Sequence, residues 1–454
     1  MTGFSAPLST LARVVNAEND SALRALPDAI AKQTVRGITT DTRTVKPGEL
    51  FVALSGENFD GHRFVAQAIK KGAIAAIVRK GAITPSSDLP LVQVADTQIA
   101  YQALGKWWRQ QCAIPVVAIT GSVGKTTTKE LVAAALSQFG AVLKTQANFN
   151  NEIGVPKTLL GMTSEHRYAV VEMGMRGLEE IAPLSQIAEP TVGIITNVGT
   201  AHIGRLGSRE AIAQAKCELL REMPAGSTAV LNHDNALLIE TAAKYWSGKQ
   251  ITYGLEGGDL RGEYTGDAVV VEGLPVPLPL PGRHNALNLL SAIATLQALN
   301  LDWRKLAQGF SVDMPAGRSK FHHLPNGIVL LDETYNAGAE AMVAAIQLLA
   351  EQSGQRRIAV LGTMKELGDQ SVELHRQIGE AIAQKGIDQL LILADPAEAE
   401  AMAVGAGAVP SQQFKSHEAL SEYLKKTMRE GDRILFKASR SVEMDKVVAQ
   451  IIER

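Results

Sequence analysis

The tightest constraint on how this 454-residue chain folds is a strand, a glycine loop and a helix in immediate succession. Val116-Val117-Ala118-Ile119 is apolar throughout. Gly121-Ser122-Val123-Gly124-Lys125-Thr126-Thr127 follows after one residue, and Leu131, Val132, Ala135 and Leu136 then fall on one helical side. Glycines let backbone N–H groups approach phosphate oxygens, and a helix N-terminus favours negative charge. Lys125 can reach the terminal phosphates of a nucleotide, and the Thr126 hydroxyl can bind Mg²⁺. Ile119 stands where the full eight-residue pattern has Gly. A glycine-rich turn without a ligand is the plainer alternative, and the strand–loop–helix context disfavours it.

The same strand type recurs. Tyr168–Val171, Val192–Ile195 and Ala229–Leu231 are solid apolar runs separated by helical stretches, the pattern of a parallel sheet covered on both faces. Gly262–Leu280 reads as a short antiparallel excursion before a long apolar helix, Asn285–Leu299. Strand–helix alternation restarts near Met314 with Val329–Leu331, Ile358–Leu361, Leu390–Leu393 and Ile434–Phe436, a second doubly wound unit. Upstream, Gly37–Thr40, Leu50–Leu54, the helical Phe64–Lys71 and Ala73–Val78 alternate on a smaller scale. One core cannot organise this length, and roughly three domains of ~150 residues are expected. The divisions fall at 1–112, 113–313 and 314–454.

Composition narrows the partners. A net charge of −2 gives no bulk attraction to nucleic acid or anionic membrane. Apolar runs fall far short of the ~20 residues that cross a bilayer. The start, MTGFSAPLSTLARVVN, lacks a basic head before an apolar core, so no signal peptide is expected. Cys112 and Cys217 have no metal-ligand spacing, which fits a reducing, cytoplasmic setting.

Several polar residues sit where open α/β sheets bind ligands, at strand carboxyl ends. Glu172 ends the run Tyr168–Val171 and can hold Mg²⁺ beside the loop, although a solvated strand-end acid is common. His202 lies past the strand Val192–Val198, with a ligand role and a structural role evenly matched. Lys216 shares a helix face with Ile212 and Leu220 within Ser208–Met223, where Ser208 is a plausible N-cap. A buried amine there has a depressed pKa and could capture CO₂ as a carbamate that binds metal; a lysine snorkelling from the edge of the stripe is slightly favoured. Asn285 and Asn288 share a face of an otherwise apolar helix just after Gly282-Arg283-His284, and a nucleotide base would satisfy their amides. Asn285 as an N-cap is the alternative, which leaves Asn288 unexplained. Asp332, Lys437, Ser439 and Arg440 follow strands of the third unit, and Arg318 lies at its joint with the second. Together they suggest a cleft between the two.

With these residues in place the chain resembles the Mur ligases, ATP-dependent amide ligases of peptidoglycan precursor synthesis. Gly121–Thr127, Glu172, Asn197 with His202, Lys216, His284 with Asn285 and Asn288, and Arg318 carry the likeness, which spans essentially the whole chain. It implies an α/β protein of three domains: a small N-terminal α/β domain for a UDP-sugar, a central P-loop ATPase with a mainly parallel sheet, and a C-terminal Rossmann-like domain. Asn148-Phe149-Asn150-Asn151, Asp332-Glu333-Thr334-Tyr335-Asn336-Ala337 and Lys365-Glu366-Leu367-Gly368 resemble the branch that joins D-alanyl-D-alanine to UDP-N-acetylmuramoyl-tripeptide. The Asp-Asn-Pro-Arg motif of the preceding ligase is missing. Two positions depart from the pattern: Ala438 replaces Gly after Lys437, and Gly338 replaces Asn after Ala337.

The resemblance implies ATP on Gly121, Ser122, Val123, Gly124, Lys125, Thr126 and Thr127, with His284, Asn285, Asn288, Arg318, Asp332 and Tyr335 around the nucleotide. It implies Mg²⁺ on Thr126 and Glu172, and a second Mg²⁺ near His202 and a carbamylated Lys216. Thr42, Arg43, Asn148, Asn150 and Asn151 are expected on the UDP-MurNAc-tripeptide, and Asn336, Lys437, Ser439 and Arg440 on D-Ala-D-Ala. The expected enzyme is a monomer that forms an acyl phosphate with Lys125, Glu172, His202, Lys216 and Arg318 as catalytic residues. A folylpolyglutamate-type ligase is opposed by the N-terminal block. A regulatory nucleotide binder has no need for two metal sites.

Overall fold

The structure is a computed structural model that describes residues 3–15, 28–57, 59–83 and 89–453. Its largest sheet forms because the apolar runs are buried on both faces. Every residue of Val116–Thr120 is buried, as is every residue of Thr228–Asn232. The strand order is Val142–Lys144, Tyr168–Glu172, Val116–Thr120, Val192–Ile195, Thr228–Asn232, Lys249–Gly254 and Leu260–Tyr264, all parallel. Antiparallel Ala268–Val271 and Leu274–Pro277 complete it. Val117 and Ile119 pack under Leu131, Val132 and Leu136 of the helix Lys125–Ser137 and under Leu289 and Ile293 of Arg283–Ala298. Val116 and Ala118 face Leu159, Leu184 and Leu219 on the other side. Placing Val116–Thr120 centrally brings its carboxyl end, the glycine loop, between the ends of Tyr168–Glu172 and Val192–Ile195.

A smaller parallel sheet, Ile38–Thr39, Leu50–Val52, Ala75–Arg79 and Leu91–Val94, precedes it. The two are joined by the helix Thr97–Gln111, whose N-cap Asp96 accepts from Gln98 N and Ile99 N. Gly105 lets this helix close on Pro156, where a Cβ would come within 2.9 Å of the proline Cβ. Trp108 Nε1 donates to Met162 O at 3.0 Å.

The third sheet runs Lys320–His323, Val329–Asp332, Asp432–Lys437, Arg356–Gly362, Gln389–Leu393 and Ser411–Gln413, parallel except for its first pair. The three-domain α/β architecture expected from the sequence is the one observed. Two details differ. The strand from Val192 ends at Ile195, not Val198, because Thr196 and Asn197 turn their side chains onto the glycine loop. The helix expected over Phe64–Lys71 is a 3-10 turn, Gly61–Phe64, followed by Val65–Lys70. Among the described residues no helix is long and apolar enough to cross a membrane.

Candidate active site

The glycine loop is held in shape by a strap of residues leaving the neighbouring strand. Thr196 Oγ1 and Asn197 Nδ2 donate to Val123 O at 2.6 and 2.9 Å, Asn197 Oδ1 accepts from Val123 N at 3.0 Å, and Ser122 Oγ accepts from Gly199 N at 2.9 Å. Gly121 has φ +152°, and a Cβ there would fall 1.9 Å from Thr196 Oγ1. Lys125 Nζ folds back to donate to Gly121 O at 2.6 Å. Burial lowers the proton affinity of Lys125, Glu172 opposes that, and Arg318 adds to it.

Glu172 is buried and organised from every side. Its Oε2 accepts from Thr126 Oγ1 at 3.0 Å, its Oε1 accepts from Asn150 Nδ2 at 2.8 Å, and its N–H donates to Thr145 Oγ1 at 3.0 Å. Behind it lies Lys129, 1% exposed, with Nζ 3.8 Å from Glu172 Oε2 and 3.1 Å from Glu130 Oε1. The paired hydroxyl and carboxylate oxygens of Thr126 and Glu172 are hard donors that suit Mg²⁺ shared with a nucleotide's phosphates. Among the described residues no group of three His, Cys, Asp or Glu gathers into a metal cage.

Lys216 does not snorkel. It is 2% exposed in the helix Arg209–Arg221, and Ser208 caps that helix by accepting from Ala211 N. Burial takes its pKa well below the usual lysine value, and the charge of Lys125 lowers it further. The snorkelling alternative fails because the face it would leave is packed between Ile212 and Leu220, both fully buried. His202, at φ +66°, places Nδ1 2.6 Å from Glu366 Oε2 of the third domain.

Asn285 is not an N-cap. The helix begins at Arg283 after Gly282, so Asn285 lies inside it and donates Nδ2 to Pro281 O at 2.8 Å. Its Oδ1 accepts from Asn288 Nδ2 at 3.1 Å, and Asn288 Oδ1 accepts from Thr128 Oγ1 at 3.1 Å. Asn288 Oδ1 also sits against Gly124, 2.9 Å from where a Cβ would lie. His284 is half-buried, and burial lowers its pKa against the charge of Glu333.

From the third domain, the Arg318 guanidinium stacks on Tyr335 at 3.9 Å, and its buried Nε has no hydrogen-bond partner among the described residues. Asp332 Oδ1 accepts from Thr334 Oγ1 at 2.6 Å. Buried Lys437 donates to Asn336 O at 3.1 Å, and Ser439 Oγ accepts from Lys365 N at 2.9 Å. Arg440 instead points outward to Asp445. Ala438 is fully buried with its Cβ over Gly362, and a Cβ at Gly338 would meet nothing within 4 Å, so neither departure disturbs the packing.

Exposed Arg43 pairs with Asp41 at 2.7 Å, and Thr42 O accepts from Lys71 Nζ. Asn148 and Asn151 are exposed, Asn151 Oδ1 accepting from Gly154 N at 2.9 Å; only Asn150 of that segment reaches Glu172. Sequence reasoning missed Lys129, Thr145, Thr128 and Thr196. Lys129 shares a helix face with Val132 and Leu136, three and seven residues on, as Lys216 does with Ile212 and Leu220, and was open to the same reading.

Residues 34–112 match the Mur ligase family catalytic domain, 119–296 the Mur ligase middle domain, and 317–440 the Mur ligase glutamate ligase domain. The chain is 52% identical over 92% of its length to the UDP-N-acetylmuramoyl-tripeptide–D-alanyl-D-alanine ligase of Synechocystis sp., 92% of which is covered. The structure of MurF from Acinetobacter baumannii superimposes with a TM-score of 0.87 at 30% identity, covering all of both chains. That of MurF ligase from Thermotoga maritima in complex with ADP does so with a TM-score of 0.81 at 29% identity, covering 94% of this chain and 99% of the other.

Proposed function

Because the chain belongs to the Mur ligase family, we propose that it joins D-alanyl-D-alanine to UDP-N-acetylmuramoyl-tripeptide at the expense of ATP, giving UDP-MurNAc-pentapeptide, ADP and phosphate. The observation that carries the chemistry is the Thr126–Glu172 oxygen pair at the glycine loop, flanked by Lys125 and approached by Arg318 from the third domain. Residues 113–313 bind ATP, residues 1–112 the UDP-sugar, and residues 314–454 the incoming dipeptide while closing over the nucleotide.

Backbone N–H groups of 121–127 hold the phosphates, with Ser122, Val123 and Thr127 as part of that cradle. Thr126 and Glu172 would hold one Mg²⁺, and His202 with Lys216 as its carbamate a second, supplying Lewis-acid stabilisation of the phosphates. A buried lysine of depressed pKa suits the carbamate, since only the neutral amine adds CO₂, releasing one proton. The tripeptide carboxylate oxygen attacks the γ-phosphorus and ADP leaves, forming an acyl phosphate. The dipeptide amine then attacks the acyl carbon, phosphate departs and the nitrogen loses a proton. Lys125 and Arg318 offset charge on the transferring group. His284, Asn285, Asp332 and Tyr335 surround the nucleoside, with Asn288 supporting Gly124 from behind.

Thr42, Arg43, Asn148, Asn150 and Asn151 receive the UDP-MurNAc-tripeptide; Asn336, Lys437, Ser439 and Arg440 receive the dipeptide. The protein acts as a monomer in the cytoplasm, where ATP is at hand. Phosphate release by the purified protein with ATP and Mg²⁺ tests the reading. Release is expected only when both the tripeptide and D-Ala-D-Ala are present, and release indifferent to the dipeptide would overturn it.

A further inference from the structure

The strap that shapes the glycine loop is itself gripped from the third domain. Glu340 lies in the first turn of the helix Ala339–Glu351, and its carboxylate crosses the domain joint. One oxygen accepts from Thr200 N at 2.7 Å and the other from Thr200 Oγ1 at 3.2 Å. The same carboxylate covers Gly199, where a Cβ would come within 2.5 Å of it. Gly199 N is the group that donates to Ser122 Oγ, and Asn197, two residues earlier, grips Val123 on both its N–H and its carbonyl. Hydrogen bonds at both ends of the backbone segment 197–200 thus tie a helix of the third domain to the phosphate loop. A second contact lies alongside: Gly204 N donates to Glu366 O at 3.2 Å, and a Cβ at Gly204 would fall 2.5 Å from Gly368 N.

We propose that Glu340 is a positioning residue that locks this strap when the third domain closes, so that the phosphate loop reaches its reactive shape only in the closed molecule. The proposal rests on the ligase reading above. Its physical basis is that both carboxylate oxygens are committed to one residue of another domain. The N–H···carboxylate bond, at 2.7 Å, is in the charge-assisted range, the hydroxyl bond is longer, and both persist only while the domains meet. A surface acid serving the helix N-terminus alone would not need to reach across the joint.

The test compares the parent with Glu340→Ala, Glu340→Gln and Gly199→Ala. Glu340→Ala is expected to lower kcat by about tenfold or more, the equivalent of losing one or two charge-assisted bonds. Its affinity for ADP alone and its melting temperature should stay near the parent's. Glu340→Gln, which can still serve both Thr200 groups, should recover most of the rate. Gly199→Ala pushes the flexible carboxylate aside and should reproduce Glu340→Ala. A kcat for Glu340→Ala within about twofold of the parent overturns the proposal. So does a fall in ADP affinity and melting temperature that accounts for the lost rate. Small-angle scattering adds an arm that needs no substrate: with ADP bound, Glu340→Ala should have a larger radius of gyration than the parent, and equal radii overturn the latch. If the parent releases no phosphate in response to the dipeptide, the ligase reading has failed, and the scattering result still decides whether Glu340 holds the domains together.

Discussion

Replacing Lys129 with Met should destabilise the central domain by about 3 kcal/mol, because it removes a fully buried cation standing between two buried carboxylates. Lys129 Nζ donates to Thr145 O at 2.9 Å and stands 3.1 Å from Glu130 and 3.8 Å from Glu172. All three of these side chains are at most 5% exposed. Methionine nearly matches the volume of the lysine stem, so cavity cost is small and the loss is electrostatic. Breaking a buried pair typically costs about 3–5 kcal/mol, and the lower end applies because Lys144, one-third exposed, still pairs with Glu130. Hydrogen exchange of the Tyr168–Glu172 amides reads the opening free energy of that strand directly. In a Glu172→Gln background the cost of Lys129→Met should shrink by about 1 kcal/mol or more, the coupling expected of groups in contact. A cost below about 1 kcal/mol, or one unchanged by Glu172→Gln, would refute the claim that Lys129 holds the Glu172 carboxylate.

Other outcomes follow from single features. Gly121→Ala places a Cβ on Thr196 Oγ1 at a positive φ, and should abolish ADP binding measured by calorimetry while the other domains stay folded. Lys216→Ala should lose activity and regain part of it with added short carboxylates; unchanged activity would argue against a role in metal binding. His375 Nε2 accepts from Met364 N at 2.8 Å, and its Nδ1 lies 2.6 Å from Ser371 O, so the ring is held neutral. Burial lowers its pKa from 6.5, opposed by Ser371, Glu398 and Asp395. The unfolded chain therefore binds the proton first, and stability should fall as pH drops below about 6.5, by at most ~1.4 kcal/mol per pH unit from this group. Melting curves of His375→Gln should show a shallower acid limb.

The strands were legible because burial on both faces demands unbroken apolar runs, and the glycine loop because its backbone geometry admits few residues. Glu172 was legible from its place at a strand end. The partners of Glu172 were not, since Asn150, Thr145 and Lys129 meet it only through the packing of separate segments. Asn285 was open to misreading as a cap because Gly282, at φ +103°, starts the helix without a side chain to announce it. Glu340 carried no signal at all: an acid in a first helical turn is common, and its contact lies 140 residues away.

The central claim is that the tripeptide is activated as an acyl phosphate before the dipeptide amine attacks. A tripeptide whose terminal carboxylate carries heavy oxygen tests it by mass spectrometry of the products. One labelled oxygen should pass into inorganic phosphate for each pentapeptide formed. Pentapeptide formed with unlabelled phosphate, or label appearing in AMP, would contradict it.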